Sequence, residues 1–267
     1  MNIQMLNSKQ RPLSQEELTR YFEKPPAFAS KLILIGLASL LFLGLPCASL
    51  SHPYGFVWLL IFGSPLAVGI GMLVIFNARS RPTDEEYDAW VNSWKPSIYH
   101  YGMEKLGLDP HSIEAGELWI RGVVWPSRPD AAYYANNASP VQTKRGKDGF
   151  VRSSVNRFTF FYPMQHYIAV FIGDVNALGP VRYQASQTYF YDDIVGIETM
   201  DIVLQLDKGS YPGSQQFELQ VSGGQSVGAT VHGPNRGDVD RTVNSLRRLL
   251  RDKKYGTRGG ARGLAGS

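Results

Sequence analysis

The sequence predicts an α+β membrane protein, in which a transmembrane helical hairpin precedes a β-rich domain closed by a C-terminal amphipathic helix. Residues 27–78 form two apolar runs that contain a single charged residue, Lys31. From Glu117 onward, short segments rich in β-branched and aromatic residues alternate with Gly, Pro, Asn and Asp, which is typical of strands and turns. Residues 238–254 then place apolar residues at helical spacing, which indicates an amphipathic helix.

Residues 1–26 are predicted to be a cytoplasmic segment that contains one short amphipathic helix. Ser14 and Glu17 have the spacing of a capping box, and apolar residues follow at intervals of three and four. Such a helix can lie among lipid headgroups just before a membrane span. It can also dock a partner protein, and the sequence leaves both interpretations open.

The two apolar runs are predicted to be membrane-spanning helices at residues 27–50 and 54–78. Each run has the roughly 20 residues that a span requires, and the break between them is too short to hold a folded domain. The polar segment before the first run places it too deep in the chain for a cleaved signal peptide. Because Lys and Arg flank the outer ends of the hairpin and are missing from the break, both termini are expected in the cytoplasm.

Small residues recur on one face of each predicted span. The first span has Gly36 and Gly44, and the second has Gly63, Ala67 and Gly71. Small residues at this spacing let helices approach closely in lipid, either within the hairpin or between copies of the chain. The interiors of the spans contain no ionisable residue, which argues against a transporter and leaves a pore built from several copies open.

Residues 79–110 are predicted to form a helix that leaves the membrane directly. Thr83 and Glu86 have the spacing of a second capping box, which places the start of this helix. Pro96 lies inside the pattern and is expected to kink or split the helix, because proline lacks the N–H that an interior helical position donates. The aromatic residues on one face of this helix are expected to pack against the β-rich domain.

A basic cluster lies in and beside the long polar stretch 126–154. We predict that these cations bind anionic lipid or a partner protein, because each cation near an anionic membrane surface contributes about 1 kcal/mol. The alternative is a mobile, solvated loop. Nucleic-acid binding is not expected, because few aromatic residues interleave with the cations. The candidate binding residues are Lys144, Arg145, Lys147, Arg152 and Arg157.

The sequence does not predict an enzyme. Residues 224–228 match the G-x-S-x-G pattern of serine hydrolases, but that motif needs a strand-to-helix turn followed by an acid and then a histidine. Here the pattern lies between two strand-like segments and His232 precedes the acids, so we expect a hairpin residue at Ser226. The five histidines and the single cysteine, Cys47, have no metal-binding spacing, and we expect no cofactor.

Residues 115–255 resemble a pleckstrin-homology-like (PH-like) domain. Seven strand-like segments followed by one amphipathic helix have the order of that family's barrel or sandwich. Residues 189–198, with the run Tyr-Phe-Tyr-Asp-Asp-Ile-Val-Gly-Ile-Glu, resemble an aromatic and acidic stretch common in bacterial PH-like domains. The hairpin 217–231 and the helix 239–250 resemble the closing elements of these domains. Together with the two spans, this order resembles small bacterial inner-membrane proteins of unassigned function.

The resemblance implies a binding or scaffolding module, although a fold by itself does not decide function. We therefore expect a non-enzymatic adaptor at the bacterial inner membrane, which presents its cytoplasmic domain to a protein partner. The alternative is a membrane protein that self-assembles through its glycine-containing spans into an oligomer or pore. The tail 256–267 is rich in glycine and is expected to be flexible.

Overall fold

Most helices precede the strands along the chain, as expected for this α+β order, and one long helix follows the last strand. The computed structural model describes residues 12–45, 55–206, 209–232 and 236–261. The chain divides into two compact units. The helical unit is Thr19–Pro82, and the β unit is Met1–Leu18 with Thr83–Ser267.

Two helices that pack against each other, named α2 and α3 below, make up most of the helical unit, and the shorter helix α1 precedes them. α1 covers Gln15–Phe22 and begins at the predicted capping box, in which Ser14 Oγ accepts from the backbone N–H of Glu17 at 3.2 Å. α2 covers Ala27–Ser39 and continues as a π-helical turn, Leu40–Gly44. α3 covers Gly55–Ala78.

Only one helix is by itself long and apolar enough to cross a membrane, namely Leu60–Ala78 within the described residues. α1 and the helix Ala27–Leu43 meet that criterion only as a pair, which is bent by 48°. The end of the predicted first span and the predicted break, residues 46–54, lie outside the described residues. The two-span topology therefore stays a prediction.

From Thr83 onward, the β unit has two helices in the region 79–110, where the sequence predicted a helix that Pro96 would kink or split. α4 covers Asp84–Ser93 and α5 covers Lys95–Leu106, and they meet at Trp94. Pro96 is in the first turn of α5, where its missing N–H would have had no helical partner. The capping box predicted at Thr83 is present, because Thr83 and Glu86 bond to each other's backbone N–H.

Nine strands and two helices follow in the described part of the β unit. The seven strand-like segments of the sequence correspond to β1 and β4 to β9, and the two short additional strands lie inside the polar stretch 126–154. The elements are β1 Leu118–Val123, α6 Ala131–Asn136, β2 Thr143–Arg145, β3 Val151–Ser153, β4 Val155–Pro163, β5 Tyr167–Asn176, β6 Gln184–Phe190, β7 Ile194–Leu206, β8 Gly209–Val221, β9 Ser226–His232 and α7 Arg236–Ala261.

The strands form three antiparallel sheets. Their orders are β1-β4-β5-β6, β2-β3 and β7-β8-β9, so the two large sheets have four and three strands. The main core lies between these sheets and α7, which contributes Val239, Val243, Leu246 and Leu250. α7 extends at both ends beyond the predicted 238–254, and residues 262–267 of the predicted tail lie outside the described residues.

The two central strands of the four-stranded sheet, β4 and β5, are buried on both faces, which the alternation rule for half-buried strands does not predict. Phe161 lies in the core between the large sheets. On the opposite face, Tyr99 of α5 contacts Phe160, and a Cβ on Gly102 would lie 2.8 Å from the ring of Phe171. Because α5 covers this second face, β4 and β5 are buried along almost their whole length.

Candidate functional site

The predicted basic cluster separates into residues at the surface and residues in the interior. Lys144 and Arg145 lie on β2, and Lys147 is exposed in the turn that follows. Arg152 is buried on β3, and the side chain of Arg157 on β4 is only 14 % exposed. The polar stretch that was predicted as a long loop is therefore partly a short hairpin, and two of its five cations point inward.

Arg152 binds three carboxylates. Its guanidinium donates to Asp88 Oδ2 at 2.7 Å from Nη2 and to Asp148 at 3.0 and 2.7 Å, and Asp84 lies 3.8 Å away. Asp84 Oδ2 also accepts from the backbone N–H of Lys147 at 2.7 Å. These bonds attach the β2–β3 hairpin to α4, so the guanidinium of Arg152 supports the fold.

Arg121 extends the same network into the interior. It donates to Asp88 Oδ1 at 3.2 Å, to Asn92 at 2.9 Å and to Asn156 at 3.2 Å. Burial lowers the pKa of Arg121, and the charge of Asp88 opposes this effect. Since arginine stays protonated in proteins, the bonds that Arg121 donates to Asp88 and to the two amide oxygens make its burial tolerable.

Tyr87 links this network to the strand β3. Its hydroxyl donates to the carbonyl of Ser153 at 2.6 Å and accepts from Asn156 at 3.0 Å. Burial raises the pKa of Tyr87 well above its ordinary value, so the hydroxyl remains protonated and keeps this donor role. α4 is therefore fixed to the sheet by a fully buried phenol in addition to the ion pairs.

A second ionic network surrounds Arg157. Its Nε and Nη2 donate to the two oxygens of Asp174 at 2.8 Å each, and its Nη1 donates to Asp130 Oδ2 at 2.8 Å. The hydroxyl of Tyr134 donates to Asp174 Oδ2 at 2.5 Å. Burial raises the pKa of Asp174, while the bonds from Arg157 and Tyr134 stabilise the ionised carboxylate and act against that rise.

A polar cleft of about 360 Å³ lies beside Arg157. The lining includes the loop Arg128–Asp130 with the end of β1, and residues of β8 and β9. The strand residues in the lining are Gln216, Glu218, Ser226, Gly228, Ala229 and Thr230. In the register of β8 and β9, Glu218 is opposite Gly228 and Gln216 is opposite Thr230, so these residues share one face of the sheet.

The cleft includes Ser226 of the G-x-S-x-G pattern, but its setting is not that of a nucleophile elbow. Ser226 starts a strand, β9, and no helix follows it directly. His232 lies at the other end of the same strand, where its Nδ1 is 2.7 Å from Ser214 Oγ. Within the part of the chain that is described, no group of three or more His, Cys, Asp or Glu residues has the arrangement of a metal site.

The small residues of the apolar helices have different surroundings. A Cβ on Gly36 would lie 2.7 Å from Leu66 Cα, and one on Gly69 would lie 2.7 Å from the side chain of Ile33. For Gly63 the nearest atom is on Leu40 at 3.8 Å, and Gly71 has no atom within 4 Å. Ala67 is exposed, and the side-chain surroundings of Gly44 are outside the described residues.

Sequence reasoning missed Arg121, Asp88 and Asp174 as members of buried networks. A signal existed for two of them, because Arg121 and Asp174 each interrupt an otherwise apolar strand. A charged residue at such a position is almost never fully buried without a partner. No protein-family model, curated protein or solved structure matches the chain.

Proposed function

We propose that the chain is a membrane-anchored, non-enzymatic adaptor, whose PH-like domain in residues 115–255 binds a protein partner at the cytoplasmic face of the inner membrane. The observation that carries the proposal is the exposure of large apolar side chains on α2 and α3. Phe42 is 78 % exposed, Leu34 is 69 % exposed and Val74 is 60 % exposed. Contiguous apolar surface of this kind is costly in water and is what a lipid-facing helix requires.

The order of elements in the β unit supports the PH-like part of the proposal. A four-stranded and a three-stranded antiparallel sheet are followed by one amphipathic helix that packs on their shared core. This order is the one that the sequence resemblance implied. A fold of this kind presents loops and strand edges to partners, and it does so without requiring a catalytic group.

Anionic lipid is a second ligand within the same proposal. Lys144, Arg145 and Lys147 remain candidates because they lie on the β2–β3 hairpin and its turn. Arg152 and Arg157 are withdrawn, because their guanidinium groups bind Asp88, Asp148, Asp174 and Asp130. Charge reversal at the three surface residues should reduce flotation of the protein with anionic vesicles, and unchanged flotation would remove lipid from the proposal.

A self-assembling membrane protein is the alternative function. It is favoured by Gly71 and Ala67, since the first has open space around it and the second is exposed. Both residues could therefore meet a helix of another copy, as small residues do in lipid. Gly36 is less suited to this role, because Leu66 of the same hairpin already occupies its surface.

One experiment separates the two functions. The full-length protein is crosslinked in its native membrane, extracted gently and identified with its neighbours by mass spectrometry. A different protein recovered at fixed stoichiometry supports the adaptor. Recovery of the chain alone as a discrete multimer, which Gly71→Leu dissociates, supports self-assembly. A protein found entirely in the soluble fraction contradicts both.

A further inference from the structure

We infer that the cleft beside Arg157 binds a basic side chain, the ammonium of lysine or the guanidinium of arginine, from a partner protein. The cleft is the one lined by Arg128, Asp130, Glu218, Ser226 and Gly228. The inference rests on the adaptor function proposed above, because it names the chemistry of the partner.

The charges around the cleft favour a cation over an anion. Arg157 is poorly suited to bind an anion, because three of its N–H groups already donate to Asp174 and Asp130. Arg128 is a second cation at the exposed mouth, Asp130 and Glu218 are the two carboxylates of the lining, and Asp174 lies behind Arg157, outside the lining. Since Asp130 and Asp174 compensate Arg157, Glu218 is the carboxylate that the β8–β9 wall offers to a cation.

One oxygen of the Asp130 carboxylate, beside the cleft, has no hydrogen-bond donor among the described residues. Asp130 Oδ2 accepts from Arg157, while Asp130 Oδ1 is buried and accepts no hydrogen bond from the described residues. A buried acceptor without a donor costs about 1–3 kcal/mol. Because this oxygen has almost no accessible surface, a cation in the cleft would stabilise the Asp130 carboxylate through its charge and not through a direct hydrogen bond to Oδ1.

The shape of the cleft suits a long side chain. Its volume of about 360 Å³ is at the lower end of the range for ligand pockets. Gly228 leaves space above the sheet, because a Cβ there would meet only the carbonyl of Phe217, at 3.5 Å. Val123 and Ala229 add apolar lining for the methylene groups of lysine or arginine.

The mouth of the cleft leaves room for a basic group that is carried on a protein. Arg128 and Pro129 are exposed, so the cleft opens to solvent along this loop. A side chain can enter there while the main chain that carries it stays outside. Arg128 is then placed to contact a main-chain carbonyl or an acidic neighbour in the partner segment.

The test titrates blocked tripeptides into the full-length protein in a nonionic detergent and follows binding by ligand-observed NMR. The probes are acetyl-Gly-Lys-Gly-amide, the same peptide with Gln or Glu in the middle, and putrescine. The lysine peptide is expected to bind more tightly than the other three. Glu218→Gln should weaken it about two- to fivefold, the range for one partly exposed charge pair.

Three further variants sharpen the test. Gly228→Val should abolish binding by filling the cleft, and Asp130→Asn should weaken it. Glu104→Gln is the matched control, because Glu104 is exposed on α5 and lies outside the cleft lining. Thermal unfolding of each variant establishes that the fold is retained, and Glu218→Gln keeps the test valid if Asp130→Asn perturbs Arg157.

The inference is overturned if no probe binds, or if Glu218→Gln, Asp130→Asn and Gly228→Val leave the affinity for the lysine peptide unchanged. Tighter binding of the glutamate peptide would make the cleft an anion site based on Arg128. Tighter binding of putrescine would assign it to a free diamine. These results are independent of the crosslinking experiment. A cleft that does not bind a basic side chain can therefore be distinguished from a protein that is not an adaptor.

Discussion

The helical unit and the β unit distribute apolar and charged residues in opposite ways. α2 and α3 expose large apolar side chains and contact each other through glycine, as at Gly36. The β unit instead encloses its aromatic residues and buries Arg121 and Arg157 with carboxylate partners. Helices that expose large apolar side chains are stable in apolar surroundings, whereas a domain that encloses its aromatic residues is stable in water. Different substitutions should therefore destabilise each unit.

The largest effect is expected from Arg157→Met in the β unit. This change leaves Asp174 buried, with its side chain 0 % exposed, and without its bidentate cation. Loss of one partner of a buried pair costs about 3–5 kcal/mol of unfolding free energy. Chemical denaturation followed by near-UV circular dichroism measures this loss.

The double variant Arg157→Met with Asp174→Leu is the control, and it should be more stable than Arg157→Met alone. The pH dependence should differ as well. Burial already raises the folded-state pKa of Asp174, and loss of Arg157 raises it further above the unfolded value, so the destabilisation is full at neutral pH and decreases as the pH falls towards the unfolded value. Equal losses at pH 7 and pH 4 would show that Asp174 is not the cause.

Gly36→Leu should destabilise the helical unit by about 1–3 kcal/mol. The added side chain would collide with the backbone of Leu66, which cannot move without separating the helices. Thermal unfolding in detergent measures the effect. Gly71→Leu is the matched control and should leave the stability of the monomer unchanged, because no atom lies within 4 Å of its Cβ position. Equal effects of the two variants would reject this account of the helix contact.

Thr83→Ala should reduce the stability of the β unit by about 0.5–2 kcal/mol. Thr83 Oγ1 accepts from the N–H of Glu86 at 3.2 Å, and this bond starts the helix that carries Asp84 and Asp88. Hydrogen exchange of the first turn of α4 should increase. Glu85→Gln, in the same turn and exposed, should change exchange much less.

Asp148→Asn should have the smallest effect, about 1 kcal/mol or less, because this carboxylate is partly exposed. The bond from Arg152 lowers the pKa of Asp148 below its ordinary value of 3.8. The stabilisation is therefore present above that value and is lost as the pH falls through the lowered pKa. Wild type and variant should differ at pH 6 and converge at acidic pH, whereas a constant difference would indicate lost packing.

The sequence was sufficient for the elements whose signals are local. The capping boxes at Ser14 and Thr83 are confirmed, because each depends on residues three positions apart. The order of helices before strands is also confirmed, because apolar length and strand composition report it directly. Pro96 indicated an interruption, and the structure adds that it splits the helix in two.

The features that depend on distant residues were not predictable from the sequence. Five cations near one another in the sequence suggested one basic surface, but Arg152 bonds to Asp88 and Arg157 bonds to Asp174, each across a tertiary contact. The cleft likewise joins the loop at Asp130 to Glu218, which lies almost ninety positions further along the chain. The sequence pattern predicts which face of a strand is buried, but only the fold shows which distant residues contact that face.

The most direct test of the central claim is photolabelling in native membranes with a lipid-soluble carbene precursor, followed by mapping of the labelled peptides. The account predicts that label is concentrated in residues 27–78, on side chains such as Phe42 and Val74, and that residues 115–255 are nearly unlabelled. Label distributed evenly over both units, or absent from α2 and α3, would contradict the assignment of the helical unit to the membrane.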